Sequence, residues 1–125
     1  MRLAVIAHDG KKAEMVAFLN KHIDFLHQKD IKIIATGTTG KHAIEAGLEV
    51  QRYESGPRGG DAQIAAEVVT GKVQMVFFFR DPMDKHPHEP DIQMLMRVCD
   101  VLNIPLATNP ASAELIIQGM KKTAE

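Results

Sequence analysis

Residues Ile31-Lys32-Ile33-Ile34-Ala35-Thr36-Gly37-Thr38-Thr39-Gly40 pass from an apolar run into a turn of hydroxyls and glycines, and a helical pattern then extends to Gly47. A run with little polar alternation marks a strand covered on both faces. A helix leaving such a strand at a glycine-containing turn is half of a crossover between parallel strands. Gly47 supplies the stop, because glycine past a helix end takes the left-handed conformation at little steric cost. The spacing predicts a strand over 31–35 and a helix over about 38–46.

The same alternation continues on both sides. Leu3 to Ala7 is a short apolar run, followed by a helix from about Lys11 to His27 with Met15, Phe18, Leu19, Phe25 and Leu26 on one face. A weaker run, Glu49 to Tyr53, precedes a helix after Asp61 that carries Ile64, Ala65, Val68 and Val69 and stops at Gly71. Val73 to Phe79 is the fourth run. The helix after Asp91 is marked by Met94, Leu95, Val98 and Leu102, and Ile104 to Ala107 is the fifth run. Asn109-Pro110, a capping residue before a first-turn proline, opens a last helix marked by Ala111, Leu115 and Ile116. These periods predict an α/β fold, a three-layer, Rossmann-like sandwich around a five-stranded, mostly parallel sheet with right-handed crossovers. Without internal repeats or linker-like segments, residues 1–125 are read as one domain.

Composition narrows the function. The 125 residues are 45% hydrophobic and 25% charged, and 15 Lys and Arg against 16 Asp and Glu leave a net charge of -1. That balance offers no basic field for nucleic acid and no cationic run for a membrane surface. The single cysteine, Cys99, excludes an intrachain disulfide and a cysteine-only zinc site. No stretch nears the roughly 18 apolar residues of a membrane span. Met1-Arg2 and the short run after it read as a first strand and not a signal peptide, so a soluble, cytoplasmic protein is expected.

In parallel sheets ligands bind at the carboxyl ends of strands, near the switch in strand order. Four such ends carry anion-binding or proton-moving groups: His8 to Lys12, Thr36 to Gly40, Ser55 to Asp61, and Asp81-Pro82 with His86 to Asp91. Thr36 to Gly40 suits a phosphate at a helix N-terminus, with a plain helix cap as the alternative. A Walker A loop would need glycine at Ala35 and Ser or Thr at His42. Asp61 reads either as a helix cap or, desolvated in a glycine-rich loop, as a base. Pro82, Pro87 and Pro90 stiffen the fourth segment, where Asp91 could orient the His88 imidazole. A metal held by His8, His86, His88 and Asp91 is the weaker reading, since a His-x-His pair alone is not specific. Lys12 could reach a phosphate from one turn into the first helix or be a solvated surface lysine. His22 is read as a packing residue, His27 and His42 as surface residues, and the phenylalanines and seven methionines as core.

Together, Ala7-His8-Asp9, Ala35 to Gly40, Ser55 to Asp61, Asp81-Pro82 through Pro87 to Asp91, Asn103-Ile104-Pro105 and Ala107-Thr108-Asn109 resemble the signature segments of the methylglyoxal synthase family. The likeness runs in order from about Leu3 to Gln118. It implies conversion of dihydroxyacetone phosphate to methylglyoxal and inorganic phosphate without metal or organic cofactor, in a homohexamer inhibited by phosphate. It implies Asp61 as general base and His8, Lys12, Thr36, Gly37, Thr38, Thr39, Ser55, Gly56 and His88 as substrate-binding residues. Asp9, Asp81 and Asp91 match further acids of that active site. The chemistry agrees: proton abstraction beside a ketone needs a base, here Asp61, and an electrophile at the carbonyl oxygen, here His88 with His8. Phosphate is expelled if its carbon–oxygen bond stands perpendicular to the enediolate plane, a torsion that Lys12, Thr36, Thr38, Thr39 and Ser55 are expected to set.

Longer family members continue into a basic C-terminal segment, whereas this sequence ends Lys121-Lys122-Thr123-Ala124-Glu125, so phosphate regulation is expected to be weaker or differently arranged. Two rivals are a non-catalytic phosphate-ligand-binding regulatory domain of the same fold and a phosphoacceptor signalling domain. The first would not need Asp61, His88 and Asp91 together. The second needs an acidic pair after strand one and an aspartate after strand three, where His8-Asp9 and Ser55-Gly56 stand.

Overall fold

A computed structural model describes residues 1–124; Glu125, the end of the predicted domain and tail, lies outside them. The strands are β1 (Arg2–Ala7), β2 (Lys32–Ala35), β3 (Val50–Arg52), β4 (Met75–Phe79) and β5 (Leu106–Ala107). They form one sheet in the order β3-β2-β1-β4-β5, and all four pairings are parallel. The helices are α1 (Lys12–Gln28), α2 (Gly37–Glu45), α3 (Gly60–Val69), α4 (Glu89–Val101) and α5 (Pro110–Ala124), with 3-10 turns at Asp9–Lys11 and Gly56–Arg58.

Alternation along the strands divides the core. Leu3, Val5, Ala7, Phe77 and Phe79 pack with α1, α2 and α5, whereas Ala4, Ile6, Ile34, Val76 and Phe78 pack with α3 and α4. Both layers are built mainly of apolar side chains, in keeping with the largely apolar strand runs, although His22, Thr39 and Asp61 of the helices are also buried. Phe18 of α1 meets Phe77 and Phe79 edge-on at 5.7 Å each, an arrangement that aligns ring edges with ring faces. The chain turns from β1 toward β2 on one side and later crosses to β4 on the other. The rim above β1 and β4 is therefore the switch point.

Several expectations of burial are corrected. Met94 and Leu102 are partly exposed, and the buried stripe of α4 is Ile92, Leu95 and Cys99. On α5, Leu115 is exposed and Ala113 and Ile117 are buried, while Val69 of α3 also faces outward. Met83 is a loop residue in solvent, not core. The Asn109 side chain does cap α5, accepting a bond from the Ser112 amide at 2.9 Å.

Candidate active site

Parallel ladders bring the predicted segments to one rim. The His8 amide donates to Phe79 O at 3.1 Å, extending the β1–β4 ladder and setting His8 beside the segment after β4. Lys12 begins α1 directly after the 3-10 turn and is buried, paired with the exposed carboxylate of Asp9. The solvated-lysine reading therefore fails.

Glycines bring the loops after β2 and β3 into contact. The Gly37 amide donates to Glu54 O at 2.8 Å, and a β-carbon on Gly37 would lie 2.8 Å from the Ser55 nitrogen. Any side chain there would separate the two loops. With Gly37 so engaged, the amides of Thr38 and Thr39 are the ones at the α2 N-terminus without an upstream helical partner. The predicted hydroxyls divide. Thr38 and Ser55 line the cavity, whereas Thr36 and Thr39 are buried behind it. Thr39 Oγ1 accepts from the Ala7 amide at 3.1 Å and donates to Ala7 O at 3.3 Å, so this hydroxyl ties α2 to β1. The sequence could not separate these roles, because all three threonines occupy one short loop.

Asp61 is the second residue of α3, fully buried, and neither carboxylate oxygen has a hydrogen-bond partner. Gly59, with φ of 101°, holds the N-cap position, so the capping role proposed for Asp61 is corrected. Beside it is His88, whose Nε2 stands 3.6 Å from Oδ2. Burial, reinforced by the negative charge of Asp91 and opposed by His86, pushes the Asp61 carboxyl up to about 6. Gly56 lies over this pair: a β-carbon there would come 2.8 Å from His88 Nε2 and 3.2 Å from Asp61 Oδ1.

His88 caps the start of α4 and its ring is nearly buried. Burial, aided by His86 and opposed by Asp91 and Glu89, lowers its pKa and favours the neutral ring. Asp91 was expected to orient this ring, but it is linked to His88 through the backbone, its amide donating to His88 O at 3.0 Å. Its carboxylate acts through charge on His88 and Asp61. Asp81 similarly contributes through its main chain, and its amide donates to His8 Nδ1 at 2.8 Å. Its carboxylate accepts the Met83 amide at 3.0 Å and closes the turn. His8 itself is pushed down to about 4, mainly by burial and then by His86, His88 and Arg80 against Glu89. A neutral His8 whose Nδ1 accepts a bond carries its proton on Nε2, an atom that is buried and unpaired.

These groups surround a cavity of about 450 Å³ whose wall includes His8, Lys12, Thr38, Ser55, Asp61 and His88. Gly56, Asp9 and Asp81 also line it, while Thr36, Gly37, Thr39 and Asp91 stand outside that wall. A more open groove of about 750 Å³ shares Thr38 and Ser55 but contains no imidazole, and its Glu67 carboxylate accepts the Tyr53 hydroxyl at 3.1 Å. The smaller space is the candidate for chemistry because the imidazoles of His8, His86 and His88 and the unpartnered Asp61 carboxylate converge on it.

His86 belongs to the segment expected at the rim but carries no role of its own in the sequence beyond the weaker metal reading; it lines the cavity and stacks on His8 with ring centroids 3.6 Å apart. Face-to-face rings do not aim their nitrogens at a common ion. Among the described residues no group of three His, Cys, Asp or Glu side chains is placed to hold a metal. Only the spacing of two histidines about a proline hinted at a paired role.

The site can hold an anion on Lys12, hydroxyls and the α2 N-terminus, while a dry carboxylate and neutral imidazoles face the remainder of the ligand. A family model described as "MGS-like domain" matches residues 14–108. The chain is 54% identical over 122 residues to a methylglyoxal synthase of Cupriavidus taiwanensis, covering 97% of this chain and 90% of that protein. It is 51% identical over 121 residues to one from Carboxydothermus hydrogenoformans, covering 96% and 98%. A crystal structure of methylglyoxal synthase from Elizabethkingia anophelis superposes with a TM-score of 0.84 at 41% identity, covering 92% of this chain and 75% of that one.

Proposed function

This chain belongs to the methylglyoxal synthase family and is a carbon–oxygen lyase acting on a small phosphate ester; from that premise we propose how its side chains carry the reaction. Asp61 removes a proton from the hydroxymethyl carbon of dihydroxyacetone phosphate. The observation that supports it is a fully buried carboxylate without hydrogen bonds, pushed up to about 6 and 3.6 Å from His88 Nε2. Desolvation makes it a stronger base while leaving it ionised at neutral pH.

Charge then builds on the carbonyl oxygen. His8, with its proton held on Nε2 by the Asp81 amide, and His88 donate toward that oxygen. Lys12, Thr38, Ser55 and the α2 amides hold the phosphate so that its ester bond stands perpendicular to the enediolate plane. The π pair of the enediolate then moves to the bond between the carbonyl carbon and the ester-bearing carbon, the carbon–oxygen bond breaks with its electrons leaving on phosphate, and the neighbouring hydroxyl gives up its O–H proton as its carbon becomes the aldehyde. The remaining enol takes up a proton at its terminal carbon to give methylglyoxal. Were the ester bond in the plane, overlap would be lost and reprotonation would win.

The test is Asp61→Asn with dihydroxyacetone phosphate. The variant is expected to bind phosphate ligands but to lose both phosphate release and proton exchange at the hydroxymethyl carbon. Retained exchange would overturn the assignment. A parent protein that binds phosphate yet releases none from the substrate would instead support the regulatory-domain reading.

A homohexamer, phosphate acting as inhibitor, and a cytoplasmic setting complete the proposal. Exposed Val69, Val101, Leu102 and Leu115 offer apolar surface to an assembly. Cys99 is buried and unpaired, and among the described residues no helix is long and apolar enough to cross a membrane. Light scattering after size exclusion checks the first, and rate against added phosphate the second.

A further inference from the structure

We propose that His86 is a positioning residue for His8: its stacked ring holds the plane of the His8 imidazole and keeps that imidazole uncharged during turnover. The inference rests on the active-site reading above. It starts from a ring pair whose centroids are 3.6 Å apart with 23° between planes. Phe78 meets His8 edge-on at 5.1 Å, and the Asp81 amide ties its Nδ1. With His86 in place, His8 is therefore held by a stacked face, an aromatic contact and one nitrogen. That leaves Nε2 as the group free to donate.

His-Pro-His chemistry explains how one short segment serves two partners. Pro87 restricts the backbone between the two histidines. His86 lies on His8, and His88 faces Asp61. The His86 and His88 rings stand 5.8 Å apart at 63°, so they do not compete for one position.

Charge adds to the mechanical effect. Around His8 stand His86, Arg80 and Asp81 from the segment after β4, and His88 and Glu89 from the start of α4. Asp61 of α3 borders the same cavity, as do Asp9 of the first 3-10 turn, Lys12 at the start of α1, and Asp84 and Lys85 after β4. Two stacked imidazoles resist double protonation, so a proton on His86 opposes one on His8. Positive charge on His86 also favours the ionised form of Asp61. Removing His86 thus makes His8 easier to protonate and Asp61 harder to ionise. Both changes move the acidic limb of activity to higher pH.

The experiment compares His86→Ala and His86→Phe with the parent, using the NMR titration of the His8 ring in the substrate-free protein and pH profiles of kcat and kcat/KM. In His86→Ala the His8 midpoint should rise by about one pH unit, through lost cover and lost charge. Its kcat at pH 8 should fall about tenfold with KM changed less than about twofold. Phenylalanine restores a flat face without charge, so His86→Phe should recover most of kcat while keeping the raised acidic limb. An unmoved His8 midpoint in His86→Ala, or a Phe variant as slow as the Ala variant, overturns the proposal. The titration needs no turnover, so it stays readable even if Asp61→Asn sinks the catalytic assignment.

Discussion

Gly56 has no side chain because the space where one would begin is occupied by His88 Nε2 at 2.8 Å and Asp61 Oδ1 at 3.2 Å. Gly56→Ala should therefore push Asp61, the proposed base, and its imidazole neighbour apart. A drop in kcat of at least about 100-fold is expected, with a smaller loss of thermal stability because the residue lies in a half-buried 3-10 turn. Steady-state kinetics beside a melting curve checks this. Asp91 poses a subtler case, since it raises the Asp61 pKa by charge. If Asp61 acts as the proposed base, the parent's acidic limb of kcat/KM lies near pH 6, and Asp91→Asn should shift it lower. A pH profile measured at constant ionic strength reads the direction. Asp61 was legible in the sequence as an acid beside glycines. Its burial without a partner was not, since that depends on Gly56 and on a histidine 27 positions away (61 to 88).

The element that sets the proposed anion cradle is α2, held at its first turn from two sides. Thr39 bonds the Ala7 backbone of β1, and Arg52 Nε of β3 donates to Gly37 O at 2.7 Å. Thr39→Ala should act mainly on folding, costing about 1–3 kcal/mol because buried main-chain groups lose a partner. Ser55→Ala should instead raise KM several-fold and change the ratio of elimination to reprotonation, because its hydroxyl lines the cavity. Urea melts together with product analysis separate the two variants. Helix and strand periods were readable from apolar spacing, and every predicted strand has an observed counterpart. The faces of α4 and α5 were less so. Met94, Leu102 and Leu115 are apolar but exposed, and periodicity cannot tell a core stripe from apolar surface beside it.

Across the whole molecule, the site opposes stability. A carboxyl raised from 3.8 to about 6 binds its proton more tightly folded than unfolded, so its ionised form destabilises the native state at neutral pH. The penalty is full above the folded value and disappears as pH falls below the unfolded one. Asp61→Asn should therefore gain about 2–3 kcal/mol at pH 8, with the gain over the parent shrinking toward pH 4. Thermal melts at both pH values measure it, and an equal or lower stability at pH 8 would count against the dry-carboxylate account. The sequence alone determined the alternation of strands and helices, and with it the rim where loops must gather, because burial on both sheet faces demands unbroken apolar runs. Which hydroxyl faces the ligand, which nitrogen of His8 keeps its proton, and that His86 lies against that ring were decided only by tertiary structure. Those properties arise from contacts between segments distant in the chain, and local spacing carries no information about them.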